Sequence, residues 1–435
     1  MSRAETWLVL SHAFNMDGRA ASQMITEKMP HLRARGITPV VVSAVTGTRD
    51  PVLEHHQVLP LGPSGLRFDL RHLLRQRLRS RLGYRIGMGA ISALLLPFYL
   101  AERTFISLES QWSWLWPAYW AGARLVKGRR PALVYSAGSA DPAHLAAAYL
   151  RRRFGLPWLA EIADPLLYDG WDKSRMARRW AERIERTVCR EADVAVWYTD
   201  AALARARARH PELGSRGHCI LPGADAPTGA RQPYRRAERF VIAHFGSLSP
   251  TRNLAVFLEG LQALLAACPA RARAIEVHVY GSRLDPVSRA AVERLGRPEI
   301  VRILGRLERD PASGASGHDQ VLARMQGADA LLLLHGTSPF CEEYIPSKVY
   351  EYLSTGRPIL GLTWRNPQLD ELLRSAGHLA VPADAPAAVQ DALGRLLERW
   401  ERDELRDSGI PSPHTVAAAV DRIHCLTRPV VAARP

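Results

Sequence analysis

The chain has 435 residues, 47% of them hydrophobic and 23% charged, a balance that excludes a long disordered protein and suits two or three domains with real cores. Its formal net charge of +15 favours anionic partners such as phosphorylated substrates, anionic lipid or nucleic acid. The last is disfavoured by the lack of zinc-finger spacing, a dense basic tail or an aromatic ladder in a basic stretch, and five widely spaced cysteines (Cys189, Cys219, Cys268, Cys341 and Cys425) exclude a disulfide scaffold and fit a reducing compartment.

The opening MSRAETWLVLSHAF has too short an apolar run for a signal peptide and reads as a buried strand. NMDGRAASQ is a turn opening a helix that runs to about Arg35, and ITPVVVSAV is the next strand. This is the start of an α/β sheet covered by helices. Gly18 stands at the strand-to-helix junction, either as a point of close backbone approach to a ligand or as a simple turn glycine.

A different composition follows. RFDLRHLLRQRLRSRLGYR carries seven arginines, and Met88–Leu100 is an apolar run of 13 residues. Trp112, Trp114, Trp116 and Trp120 come next. A basic helix, an apolar segment and a tryptophan cluster suit a contact with an anionic membrane surface. The run is too short to span a bilayer. The alternative is a core helix with a solvated arginine face.

PALVYSAGS, LPWLAEIAD, ADVAVWYTD and CILPGAD continue the strand series, with helices between them, to about residue 225. The polar stretch 226–240 reads as a linker. A second α/β cycle fills 241–410, with strands in FVIAHFGSL, AIEVHVYG, IVRILGRL, DALLLLHG and PILGLTW. Residues 411–435 read as a C-terminal helix able to pack back across the domains. Two α/β domains on a short linker predict a deep cleft between them.

Glycines close several strands of the second half. Gly246 with Ser247, Gly281 and the segment HGTSPF offer backbone donors to a nucleotide or diphosphate. The densest signal is HGTSPFCEEYIPSKVYEYLSTGRPIL. Pro346 suits the first turn of a helix, which would contain Ser347 and Lys348 and present free donors to phosphate. Glu343 precedes that helix, and Glu351 lies one turn inside it, where it can accept from a ribose diol. Arg252 follows the FGSLSPT turn, opens the next helix and could grip a diphosphate. No GxGxxG follows either opening strand, which disfavours a dehydrogenase.

On these residues the chain resembles retaining glycosyltransferases of the GT-B fold, of the family 4 type, over nearly its whole length. FGSLSPTRNLAVFLEGL resembles the turn after the first donor-domain strand, and HGTSPFCEEYIPSKVYEYLSTGRPILGL the Glu-x7-Glu region. The resemblance implies an α/β architecture of two Rossmann-like domains facing each other across a deep cleft. It implies transfer of a sugar from a nucleoside-diphosphate donor to an acceptor hydroxyl with retained anomeric configuration. Glu343 would contact the sugar and Glu351 the ribose, the backbone at Ile345, Pro346 and Ser347 would hold the diphosphate, and Arg252 would stand where a lysine is usual. No metal and no further cofactor is expected. Two departures stand out. Ser247 replaces the arginine usual after the donor-domain glycine, and the strand end near Ser136–Gly138 lacks the usual histidine, leaving Asp141, Ser139 and Asp164 as acceptor-side candidates. The arginine- and tryptophan-rich region points to a lipid-linked or envelope saccharide acceptor and to a cytoplasmic protein peripheral on the inner face of the cytoplasmic membrane. A soluble acceptor and a non-catalytic nucleotide-sugar-binding protein are the alternatives.

Overall fold

The computed structural model describes residues 5–16, 19–78, 80–137, 141–170, 173–225, 234–281, 283–308, 314–408 and 411–433. Gly18, Arg79, Gly138, Ser139, Ser282, residues 226–233 and residues 312 and 313 lie outside that set. The chain forms two compact units, Met1–Leu221 with Val416–Pro435, and Pro222–Thr415.

The first unit is a seven-stranded parallel sheet. Its strands are β1 (Glu5–Leu10), β2 (Ile37–Ser43), β3 (Glu54–Gln57), β4 (Leu133–Ala137), β5 (Trp158–Ile162), β6 (Val194–Trp197) and β7 (Gly217–Cys219), in the order β3-β2-β1-β4-β5-β6-β7. Side chains alternate between two cores, as strand pleating requires. Leu8 and Leu10 face one core with Val134 and Ala160, while Trp7 and Val9 face the other with Ile25 and Met29. The second core also contains Val416, Ala419, Val420 and Ile423 of the helix Val416–Ala432. Arg35 fastens that helix, donating from Nε to Asp421 (2.7 Å) and from Nη2 to the carbonyl of Ala417 (3.0 Å).

The second unit is a six-stranded parallel sheet: β8 (Phe240–Gly246), β9 (Ile275–Gly281), β10 (Val301–Gly305), β11 (Ala330–Leu334), β12 (Ile359–Thr363) and β13 (Leu379–Pro382). The order β10-β9-β8-β11-β12-β13 is the 3-2-1-4-5-6 order of nucleotide-binding sheets when counted from β8. Two parallel sheets flanked by helices match the expected pair of Rossmann-like units. The ALLLL sequence of β11 is buried at every position, as in a strand covered on both faces.

A charge sits inside the first unit. Lys28 Nζ lies 2.5 Å from Glu161 on β5, and both side chains are only 2% exposed. The hydroxyls of Tyr135 and Tyr198 also donate to this carboxylate. Burial, and then the nearby carboxylate, raises Tyr135 well above the ordinary tyrosine range.

The arginine-rich region forms two helices, Pro63–Arg77 and Arg81–Phe105, packed antiparallel. Ser64 donates through its backbone N–H and hydroxyl to Glu102 (2.8 Å each), Arg67 Nε reaches Ser92 Oγ (3.0 Å), and Leu74 lies against Gly87. The core-helix alternative for Met88–Leu100 fails. The run sits in a 25-residue helix whose most apolar stretch is not buried at all, and by length and composition this helix could cross a membrane. The tryptophan cluster divides. Trp114 is in the core, Trp112 donates to Glu102 (2.5 Å), and only Trp116 and Trp120, stacked on each other, are exposed.

Where the hairpin meets the segment after β1, His12 Nε2 and Asp69 Oδ1 lie buried 3.6 Å apart, too far for a hydrogen bond. Burial drives both toward their neutral forms. It raises Asp69 to about 7 and lowers His12 to about 3, with Arg19 and His72 adding to the latter effect.

These buried groups make stability respond to substitution and to pH in two ways. Lys28→Met leaves Glu161 uncompensated and should cost about 3–5 kcal/mol in urea denaturation, with much of the loss recovered in the Lys28→Met/Glu161→Gln double variant. Asp69 binds its proton more tightly folded than unfolded. Its contribution is therefore complete below the unfolded carboxylate pKa and lost as pH rises toward about 7. Asp69→Asn should flatten the fall in urea midpoint between pH 4 and pH 7.

Candidate functional site

β8 and β9 stay paired to their last residues, where Gly246 faces Gly281. Both have positive φ (153° and 130°). A Cβ at Gly281 would lie 2.2 Å from the Gly246 carbonyl oxygen, so only glycine fits this contact. The two glycines expected to approach a ligand are thus register partners.

On its other side β8 parts from β11. Their ladder joins Ala330 to Ile242 and Leu331 to Ala243 and stops there. The backbone groups released by this splay are taken by side chains. Tyr352 Oη accepts from the Phe245 N–H (2.9 Å) and donates to the Leu332 carbonyl (3.4 Å), which also accepts from His244 Nδ1 (3.0 Å). Such an opening between the carboxyl ends of two neighbouring strands, at the point where strand order reverses, is where open α/β sheets take ligands.

His244 and Tyr352 escape a reading of the sequence because one sits in an apolar strand and the other on an apolar helix stripe. The one available signal is a histidine inside FVIAHFG. With Nδ1 donating, Nε2 of His244 is a lone-pair acceptor, buried and without a hydrogen-bond partner among the described residues. Burial lowers its pKa to about 4; the bond to Leu332 opposes this, and the charge of Arg252 adds to it.

Arg252 lies in the turn ahead of the helix Ala255–Ala267 rather than opening that helix. Its guanidinium folds back onto Ser247, donating from Nε to the carbonyl (3.1 Å) and from Nη2 to Oγ (3.2 Å). It has no carboxylate partner among the described residues, so its charge is not neutralised there. The Thr337 N–H donates to the Thr251 carbonyl (2.9 Å) and joins this turn to the loop after β11.

That loop is fixed from within. His335 Nε2 donates to the Tyr344 carbonyl (2.8 Å), while Nδ1 accepts from the Trp364 N–H (3.2 Å). Burial lowers its pKa to about 4, so it is a neutral structural brace. Asn366 Nδ2 donates to the carbonyls of Cys341 (3.0 Å) and Tyr344 (2.9 Å). Glu343 closes the short 3-10 turn Pro339–Glu343 and is 1% exposed.

The following helix begins later than its proline suggests. It spans Lys348–Thr355 with Ser347 as N-cap, so Pro346 precedes the helix instead of sitting in its first turn. The cause is visible in the hydrogen bonds. The Val349 and Tyr350 N–H groups turn back to the carbonyls of Pro346 and Ser347, and the Ser347 side chain caps nothing. The N–H groups of Ser347 and Lys348 have no acceptor among the described residues. Ile345 is buried beneath this start. Glu351 is also buried and accepts from Lys348 Nζ (2.6 Å), so a ligand would share this carboxylate with an ammonium group. No group of three or more His, Cys, Asp or Glu that could hold a metal ion occurs among the described residues.

Asp141 belongs to the first unit. It precedes the helix Pro142–Phe154 and lines a small cavity with Trp112, Glu109 and Lys173. Burial raises it to about 6; Glu109 pushes the same way, Lys173 opposes and Asp164 adds a little. Asp164 is itself raised by burial. His144 is not a substitute for the missing strand-end histidine. It is buried in the helix with Nδ1 2.8 Å from Ser136 Oγ, which also accepts from Trp158 Nε1 (2.8 Å). Burial lowers it to about 4.

No protein-family model and no curated protein sequence matches the chain. Solved structures do. A sucrose-phosphate synthase from Thermosynechococcus elongatus matches with a TM-score of 0.65 at 13% identity, over 99% of this chain and 100% of the other. The Anabaena protein Alr3699/HepE, solved with UDP and glucose, matches with a TM-score of 0.58 at 14% identity, over 98% and 100%. WaaG, a glycosyltransferase involved in lipopolysaccharide biosynthesis, matches with a TM-score of 0.59 at 14% identity, over 97% and 100%. At these identities the likeness is one of fold, and the fold of this chain is GT-B.

Proposed function

We propose that this chain is a retaining glycosyltransferase that moves a sugar from a nucleoside-diphosphate donor to a hydroxyl of a lipid-linked saccharide. The observation that carries this reading is the convergence, at the splayed ends of β8 and β11, of a glycine pair, an un-neutralised arginine and a helix start with free N–H groups. A diphosphate needs donors and positive charge held in place, and this reading takes them from the N–H groups of Ser347 and Lys348 and from Arg252. UDP and glucose are bound to HepE, one of the proteins of the same fold.

In this reading the N–H groups of Ser347 and Lys348 hold the diphosphate, and Arg252 stabilises the charge that grows on it as the sugar departs. These groups supply the positive charge that a divalent cation would otherwise bring, so the reaction is read as metal-independent. Glu351 takes the ribose hydroxyls and Glu343 faces the sugar. The departing phosphate can accept the proton of the acceptor hydroxyl, a route that needs no histidine at the β4 strand end. Asp141 is the group assigned to the acceptor.

The helix Arg81–Phe105 supports a membrane-surface location. Leu82, Ile86, Leu94, Leu96, Phe98, Leu100 and Phe105 are all exposed. Its 25 residues make roughly 38 Å of helix, enough to span. Spanning would carry the arginines of the packed helix Pro63–Arg77 into hydrocarbon at about 2.5–3.5 kcal/mol each. Lying in the interface keeps the leucines in lipid and the arginines at the headgroups.

Thermal-shift measurements across UDP-, GDP-, ADP- and CMP-sugars should find one nucleotide class that raises the melting temperature by several degrees; no shift with any of them would count against the reading. With that donor, Glu351→Ala should abolish most of the shift. Glu343→Gln should keep the shift and lower turnover about 100-fold or more. A Glu351→Ala protein that binds the donor normally would refute the assigned geometry.

A further inference from the structure

At the base of the helical hairpin the first unit holds a cavity of about 580 Å³, within the range of ligand pockets (about 300–1,000 Å³). Its walls combine Arg67, Arg71 and Arg103 with Phe68, Met88 and Tyr99. The acidic groups present are already engaged. Glu102 accepts from Ser64 and Trp112, and Glu109 is paired with Lys173 at 2.5 Å.

The arginines have no such partners. Arg67 donates to Ser92 Oγ, Arg71 lies 4.9 Å from the centre of the Phe68 ring beside His72, and Arg103 makes no hydrogen bond or ion pair among the described residues. Three guanidinium groups without carboxylate partners on a partly apolar wall ask for an anion attached to something apolar. The exposed leucines and phenylalanines of Arg81–Phe105 continue that apolar wall outward. Leu108, Glu109, Lys173 and Ala177 line both this cavity and the smaller one that contains Asp141.

We infer that this cavity binds the phosphate or diphosphate of the lipid-linked acceptor. The guanidinium groups hold the anion, the lipid chain runs along Arg81–Phe105, and the saccharide extends past Lys173 toward Asp141. This assignment rests on the transferase reading for its occupant, but not for its chemistry. Binding alone tests it, and so its failure is separable from that of the donor site.

The test is titration of the full chain with farnesyl diphosphate, a short soluble lipid diphosphate, followed by calorimetry and by fluorescence of the neighbouring Trp112. Arg67→Gln/Arg71→Gln should weaken binding at least tenfold, and so should Arg103→Gln as an independent variant. All of these residues are on the surface, and circular dichroism checks that the variants fold. Farnesol and inorganic diphosphate should each bind at least tenfold more weakly than the intact molecule. Unchanged affinity in both variants would overturn the assignment. Inorganic diphosphate binding as tightly as farnesyl diphosphate would overturn the lipid part of it. Loss of binding to phosphatidylglycerol vesicles with farnesyl diphosphate affinity unchanged would show a membrane-docking surface in place of an acceptor pocket. If farnesyl diphosphate binds as described while no nucleotide sugar shifts the melting temperature, the pocket stands and the transferase reading falls.

Discussion

The parting of β8 from β11 is the feature on which the candidate donor site depends. A parallel sheet covered on both faces offers a ligand nothing along its length; only the strand ends are open. Here the ladder stops at Ala243 and Leu331, and the backbone groups beyond it need partners other than a neighbouring strand. Tyr352 and His244 provide them, from the helix Lys348–Thr355 and from the strand itself. Tyr352 thereby ties the helix Lys348–Thr355 to the end of β8, while the β8–β9 ladder sets the glycine pair and Ser247 and Ser249 hold Arg252. A tyrosine hydroxyl buried in an apolar setting, its pKa raised by that burial, is a rigid neutral bridge, and rigidity is what a preorganised anion site needs.

The first unit is organised around polar groups in unusual depth. Glu161 gathers a lysine and two tyrosines in the middle of the sheet, and Glu102 gathers a serine, its backbone and an indole at the base of the hairpin. The two carboxylates act differently on their surroundings. Glu161 is enclosed by the core and holds Tyr135 on β4, Tyr198 just past β6 and Lys28 on a helix. Glu102 sits at the foot of the hairpin and, by engaging Ser64 and Trp112, leaves the nearby arginines with their charge uncancelled. The positive character of that region is thus a local arrangement as well as a matter of overall composition.

Much of the fold was legible because its strands are long apolar runs. Ten of the thirteen strands fall in stretches such as WLVLSHAF and DALLLLHG. The three that escape, EHHQ in β3, GHC in β7 and LAVP in β13, are strands of three or four residues at sheet edges. An edge strand has one neighbour and an exposed side, so little apolar patterning is demanded of it. The helix that contains Glu351 starts later than its proline suggests, because the N–H groups of Val349 and Tyr350 close tight turns that a pattern of residue types does not encode. The division of the tryptophans was hidden for a related reason. Trp114 and Trp116 differ by two residues on a helical turn, and only packing decides which is buried. The splay is almost hidden in the sequence, since Tyr352 looks like an ordinary member of an apolar helix stripe and only the histidine inside FVIAHFG hints at it.

The division of the chain bears on its biogenesis. The second unit is one continuous stretch, Pro222–Thr415, whereas the first is completed only by Val416–Pro435. The apolar face presented by Ile25 and Met29 lacks Val420 and Ile423 until those residues have been made. On a ribosome adding about 5–20 residues per second, the later unit has its whole sequence in hand while the earlier one still waits for its last helix. Maturation of the two sheets therefore runs against the direction of synthesis, and the first must hold its unfinished core together for the whole time the second is being translated.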